Sequence, residues 1–136
     1  MSPSLLDTDI LSEVLKQKHL VVMQRAATYF QQHQQFTFST FTRYEILRGL
    51  KAKGAATQIQ KFDTFCQSSL ILPITDNILG RAADLWVIAD KAGHPKKDAD
   101  LIIAATALIN GLELASGNIS HFSWIPGLVV EDWRQP

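Results

Sequence analysis

"KKDADLIIAATAL", residues 96–108, sets two aspartates directly ahead of an almost unbroken apolar run. A run that is apolar on nearly every side reads as a helix buried all round. Its N-terminal end therefore stands at the edge of a core, with at least one carboxylate drawn toward the interior. Asp98 is read as the N-cap, a role worth about 1 kcal/mol. Asp100 then falls at the second helical position, where the helix dipole favours a negative charge. A cap accounts for one acid, and Asp100 is left needing a partner from elsewhere in the chain.

Working outward from this helix, short β-type runs alternate with longer helical ones. The segments 4–8, 36–40, 70–74, 112–116 and 128–131 read as strands by length and by their Ile, Val, Phe and Thr content. The first and third are nearly all apolar, as in strands covered on both faces. Helices are expected near 9–17, 20–34, 41–53, 55–68, 76–92 and 99–110. Gly54 and Gly93 fall at expected helix ends, and Asp76 at an expected cap. Strands separated by helices imply an α/β fold, a three-layer α/β/α sandwich around a central, mostly parallel sheet.

The bulk composition fits one domain spanning residues 1–136. Of the 136 residues, 46% are hydrophobic and 19% charged, enough for a real core. Thirteen basic residues balance thirteen acidic ones, which removes a whole-protein electrostatic argument for nucleic-acid binding but allows a local basic rim. Cys66 is the only cysteine, so no intrachain disulfide can form and a reducing compartment is expected. The start has no basic n-region, and no apolar run approaches the ~18 residues of a membrane span. A soluble, cytoplasmic protein is the expectation, with no membrane partner.

In parallel sheets ligands bind beyond the carboxyl ends of the strands, and three acids fall there. Asp7 closes the first strand; alternatively, Asp7 or Thr8 is simply the cap of the following helix. Glu45 follows the second strand. Thr42 and Glu45 match a capping box, but Ser39 can cap an earlier start, which places Glu45 in the second turn, with Gly49 and Ala52 leaving room below it. Asp100 is the third acid. Three like charges drawn together are tolerable only if protonated or neutralised by a cation. An all-carboxylate oxygen site suits Mg²⁺ or Mn²⁺, which can activate water for attack on a phosphodiester.

These residues resemble the PIN-domain ribonucleases of the VapC toxin type. "LLDTDILSE" (5–13) is similar to that family's opening segment, with Asp7 as its first acid. "FSTFTRYEILRGL" (38–50) is similar to the second motif, with Glu45 and then Gly49. "DADLIIAATALINGLELASGNISHF" (98–122) resembles the third and fourth motifs run together, with Asp100 as the acid before "IIAATA". "IPGLVVEDW" (125–133) resembles the final strand. The likeness covers essentially the whole chain. It implies a metal-dependent endoribonuclease, with Asp7, Glu45 and Asp100 as catalytic and metal-binding groups and an antitoxin as partner. Ser116 and Asn118 of "SGN" stand where many members have Thr-x-Asn or Thr-x-Asp. Ser116 keeps a hydroxyl, Asn118 can hydrogen-bond water without adding charge, and Gly117 lacks the side chain, often basic, found in relatives. Asp9 stands where Asn is frequent and is expected near the helix start rather than in the site.

Arg43 and Arg48, flanking Glu45, are the leading candidates for contacts with RNA phosphates; Arg81, Lys96 and Lys97 are weaker ones. The four histidines show no paired ligand spacing, which disfavours zinc, and His121 lies near Asn118. Trp86, Trp124 and Trp133 are expected in the core or an interface. Two other functions compete. A PIN-like scaffold could bind a partner without cutting, a reading to which the neutral Asn118 lends some weight. "LLDTDIL" also resembles the start of aspartate-nucleophile phosphatases, but Leu11 stands where that family has Thr or Val. For the partner, a basic antitoxin side chain is expected to pair with the acidic rim. An amphipathic segment is expected between the helices carrying Ile10, Leu11, Val14, Ile46, Leu47 and Leu50, and a two-fold homodimer is expected besides.

Overall fold

In the computed structural model, which describes residues 1–136, Leu5 and Leu6 are both fully buried and each belongs to a different core. Neighbouring residues of a strand face opposite sides of a sheet, so this one dipeptide anchors both faces. The sheet has five short strands, β1 (Ser4–Leu6), β2 (Thr37–Ser39), β3 (Leu70–Leu72), β4 (Glu113–Ala115) and β5 (Val130–Glu131), in the order β3-β2-β1-β4-β5. Every pairing is parallel, with Leu5 opposite both Thr37 and Leu114.

Parallel neighbours need long crossovers, and helices supply them. α1 (Thr8–Lys16) and α2 (Leu20–His33) join β1 to β2. α3 (Thr40–Ala52) and α4 (Ala56–Gln67) join β2 to β3, and α5 (Asp76–Ala92) and α6 (Asp98–Ile109) join β3 to β4. A four-residue α7 (Ile119–Phe122) precedes β5. Leu5 packs with Ile78 and Leu85 of α5, Leu101 and Ile103 of α6, Leu114 and Phe122. Leu6 packs with Ile10 and Leu11 of α1, Tyr29 of α2, Phe38, Phe62 of α4 and Trp133. The result is a three-layer α/β/α sandwich. The middle of α6 is buried, with Leu101 and the run Ile103–Ala107 inside the core, while its two ends reach the surface.

Several local expectations change. β3 is a sheet edge and Leu70 is 45% exposed, so this strand is not covered on both faces. α6 is preceded by Lys97 in extended conformation, so Asp98 is the first helical residue, makes no capping hydrogen bond and is exposed. Likewise Thr75, not Asp76, caps α5, its hydroxyl accepting from the Ile78 N–H at 3.3 Å. Ser39 does cap α3, accepting from Thr42 N–H at 3.1 Å, which leaves Glu45 in the second turn and rules out a capping box. Trp133 is fully buried, while Trp86 lies 42% exposed beneath Lys96 and Trp124 stacks on His94. No helix is long and apolar enough to cross a membrane.

Candidate active site

The strand order reverses at β1: the chain builds outward through β2 and β3, then returns to add β4 and β5 on the other side. The crevice at the carboxyl ends of β1 and β4 is therefore the topological switch point, where parallel sheets bind ligands. Asp7 and Ser116 follow directly on those two strands. The Ser116 hydroxyl donates to Asp7 Oδ2 at 2.8 Å and accepts from the Asn118 N–H at 3.0 Å. Asp7 Oδ1 accepts from the Thr8 N–H at 2.7 Å, so Asp7 is also the N-cap of α1. The cap and the site acid are the same residue, and both of its oxygens are held.

Asp7 is only 5% exposed, and this sets its electrostatics. Burial pushes its pKa from the ordinary 3.8 up to about 7; Asp9 and Asp100 add to the rise, and the Ser116 and Thr8 hydrogen bonds oppose it. Asp9 is raised as well, mainly by burial, against hydrogen bonds from the N–H groups of Gly117 (2.9 Å) and Ile10 (2.8 Å) and the nearby Arg134 charge. Asp9 thus stands at the helix start, as expected, yet also belongs to the site electrostatically. The space a side chain at 117 would need is filled by the Arg134 guanidinium, which donates to the Gly117 carbonyl. A basic group therefore stands over Gly117, supplied by the C-terminal tail.

Glu45 reaches the same cleft from α3. The Thr8 hydroxyl lies 2.7 Å from its Oε1 and 3.2 Å from the Thr42 hydroxyl, and Arg48 lies 3.8 Å from its Oε2. Asp100 enters from the first turn of α6, its Oδ2 3.1 Å from His121 Nδ1. The partner that Asp100 needs within the chain is therefore His121, presented by the short α7. A cleft of about 770 Å³ is lined by Asp7, Asp9, Glu45, Asp100 and Asn118 among others. All the expected acids meet in it, together with one acid expected to stand outside.

The donor set is all oxygen and strongly acidic, which fits a hard divalent cation. No three of the His, Cys, Asp or Glu side chains converge closely enough to ligate one ion directly. An ion here would draw part of its shell from water, as Mg²⁺ habitually does. Neither of the two arginines lines the cleft, and both are exposed. Arg48 is held by Glu45 and lies over the Tyr44 ring. Arg43 is exposed and outside the cleft lining; its charge is felt instead by the Cys66 thiol, whose pKa burial raises. Of the apolar residues expected to line a partner groove, Ile10 and Leu11 are spent on the core and Leu47 packs against it, whereas Val14 borders a neighbouring apolar groove and Ile46 and Leu50 line the cleft.

With Asp98 exposed and uncapping, Asp98→Ser is expected to change stability by less than about 1 kcal/mol, the scale of a charge near a helix N-terminus. It should also leave the chemistry of the cleft intact. Thermal melting and an activity assay beside Asp100→Asn check both points.

A PIN domain model matches residues 4–123. No curated protein matches the chain in sequence. Among solved structures, the crystal structure of VapBC2 from Rickettsia felis bound to a DNA fragment from their promoter aligns with a TM-score of 0.84 and 21% identity, covering 96% of this chain and 98% of that one. The DNA-bound VapBC from Salmonella typhimurium aligns with a TM-score of 0.84 and 23% identity, covering 98% and 99%. A toxin–antitoxin complex from Klebsiella pneumoniae is 28% identical, with a TM-score of 0.75 and coverage of 96% and 97%.

Proposed function

The chain belongs to the PIN-domain family, and from that premise we propose that it is a Mg²⁺- or Mn²⁺-dependent endoribonuclease, the cytoplasmic toxin of a toxin–antitoxin pair. The observation that carries this reading is the gathering of Asp7, Asp9, Glu45 and Asp100 in one cleft at the switch point of the sheet. A buried carboxylate pushed up to about 7 by burial and its acidic neighbours is a place where a cation binds with gain, because the cation removes the repulsion.

When bound, the ion supplies an activated water and stabilises charge on the leaving oxygen of the phosphodiester. The chain's own residues do the rest. Asp7 and Asp100 would hold the ion directly, and Glu45 would complete the shell through water. Ser116 and the Thr8 N–H fix the orientation of Asp7, and the Thr8 hydroxyl fixes that of Glu45. His121 holds Asp100 from the outer side, and Asn118 hydrogen-bonds water in the cleft. Arg48 is placed to meet an RNA phosphate beside Glu45.

The antitoxin reading rests on two adjoining surfaces and on the toxin–antitoxin complexes among the structural matches. A second groove of about 400 Å³, bordered by Met23, Phe30, Phe36 and Phe65, shares Leu15 and Lys61 with the acidic cleft. An amphipathic segment can lie in this apolar groove and extend a basic side chain to the carboxylates, displacing the ion. A homodimer is proposed with it, supported by Leu79 and Trp86, which lie seven positions apart on α5 and are both exposed.

Purified protein is expected to cut RNA in Mg²⁺ or Mn²⁺ and to stop in excess chelator. It should also co-purify with the protein encoded beside it, in an inactive complex. Undiminished cleavage in chelator would overturn the metal assignment, and equal activity of free and complexed protein would overturn inhibition through the site. A free protein without nuclease activity would return the reading to a non-catalytic, partner-binding PIN domain.

A further inference from the structure

The acidic cleft has a second end. Besides its acids, it is lined by Lys16, Lys18, Lys53 and Lys61. Four separate segments supply these lysines: the last turn of α1, the α1–α2 connection, the residue ending α3, and the middle of α4. α1 starts beside Asp7 and reaches Lys16 eight residues after Thr8, and α3 runs from Glu45 to Lys53 over another eight. Each path is about 12 Å of helix. The two helices thus lead from a carboxylate end to an ammonium end, past Ile46, Gly49, Leu50 and Phe62, which border the cleft between them.

Ordinary structural roles account for only part of this. Lys16 and Lys53 stand at helix C-termini, where the dipole favours a cation, and Lys16 also pairs with Glu13 at 3.9 Å. Lys18 and Lys61 have no such reason, and Lys18, Lys53 and Lys61 take part in no ion pair. In a chain of zero formal charge, unpaired cations converging on one cleft from distant parts of the sequence mark a place for an anion.

We infer that the lysine end of the cleft is a backbone subsite for single-stranded RNA, holding phosphates flanking the bond that sits at the carboxylate end. This rests on the nuclease reading and names how the substrate lies in the site. Lysines act as point charges on phosphates without reading sequence, and the apolar residues between the two ends can take sugars and bases. A strand laid from the acids along α1 and α3 reaches Lys18, Lys53 and Lys61 within a few nucleotides. Arg48, engaged by Glu45, then marks the near end of the path and not its length.

The test is the triple variant Lys18→Gln, Lys53→Gln, Lys61→Gln. These side chains are exposed, so the variant should melt as the wild type does. Fluorescein-labelled single-stranded RNA is titrated against both proteins in chelator across a range of salt, and cleavage kinetics are measured in Mg²⁺. The variant is expected to bind at least about 10-fold more weakly, with a log K against log salt slope shallower by about 2, since each lost single-strand contact removes about 0.7. Its cleavage defect should fall on KM and not on kcat. Unchanged affinity, slope and KM overturn the subsite, as does a wild type that binds no RNA. A variant that binds RNA normally but loses the antitoxin overturns it in favour of an acidic peptide segment. A wild type that binds RNA yet never cleaves defeats the nuclease reading alone, and the binding comparison still decides the lysines.

Discussion

Asp7→Asn is expected to abolish cleavage while making the metal-free protein more stable at pH 8. Both effects have one cause. The folded protein keeps a proton on Asp7 until about pH 7, whereas an unfolded carboxylate loses it near 3.8. Between those values folding takes up a proton, so this group's contribution to stability falls as pH rises through the window and stays lower above it. The full difference is on the order of 4 kcal/mol, at about 1.4 kcal/mol per pK unit. An amide in the same place has no charge to bury. It still accepts from Thr8 N–H through its oxygen, and its nitrogen meets the Ser116 hydroxyl, which can turn to accept. Urea unfolding in chelator at pH 5 and pH 8 should show the wild type losing stability relative to Asp7→Asn. Mg²⁺ or Mn²⁺ should restore the wild type at pH 8 and do little for the variant. Cleavage should drop by more than about 100-fold, beyond what losing an outer-shell partner of a metal site costs. A variant that cuts RNA normally, or that is the less stable protein at pH 8, contradicts this account of Asp7.

Trp133→Ala is expected to remove about 3–5 kcal/mol, the usual range for deleting a large buried aromatic. Trp133 is fully buried, 5.4 Å from the Tyr29 ring between centroids. Tyr29 in turn receives the Ser4 N–H on its hydroxyl at 3.0 Å, so the tail is packed against the group that secures the first strand. The indole N–H has no hydrogen-bond partner, an uncompensated cost of about 1–3 kcal/mol. Trp133→Phe removes that donor along with part of the volume, so the two changes oppose each other. It should lie within about 1.5 kcal/mol of wild type, far above the alanine variant. Denaturant midpoints of the three proteins decide this, and a phenylalanine variant as unstable as alanine means the indole bonds to water.

The sequence carries the sandwich because its periodicities are long and cleanly punctuated. α5 matches residues 76–92 and closes on Gly93, whose φ of 74° suits glycine. The errors are local. Asp76 and Asp98 look like caps in the sequence, but Thr75 and Lys97 before them have extended backbone, and that backbone, not the acid, sets the helix start. α7 spans four residues and has too little length to show a period, so the residue that brings His121 to Asp100 has no pattern to announce it. β3 looks like a central strand because apolar content does not reveal a place at the sheet edge. Asp7 and Ser116 are legible because each follows directly on a readable strand, and Glu45 and Asp100 because each lies in the first two turns of a readable helix. Nothing in the sequence draws Asp9 into the site, because its neighbours there, Gly117 and Arg134, lie more than a hundred residues away. The lysines at 16, 18, 53 and 61 are unremarkable in order, and only the crossovers gather them.

The hydrogen bond between Ser116 and Asp7 joins residues 109 positions apart, and this has a consequence for how the protein is made. Chains emerge from the ribosome N-terminus first. Asp7 and Glu45 are translated early, but β1 waits for β4 to fill one of its sides, and Asp100 and Ser116 arrive only in the last third of the chain. A nascent chain or a prematurely stopped product holds Asp7, Asp9 and Glu45 but not Asp100, an open edge on its central strand and no Ser116 to secure Asp7. Whatever chemistry the cleft performs therefore requires synthesis to have passed Asp100 and Ser116, because both belong to the site that Asp7 begins.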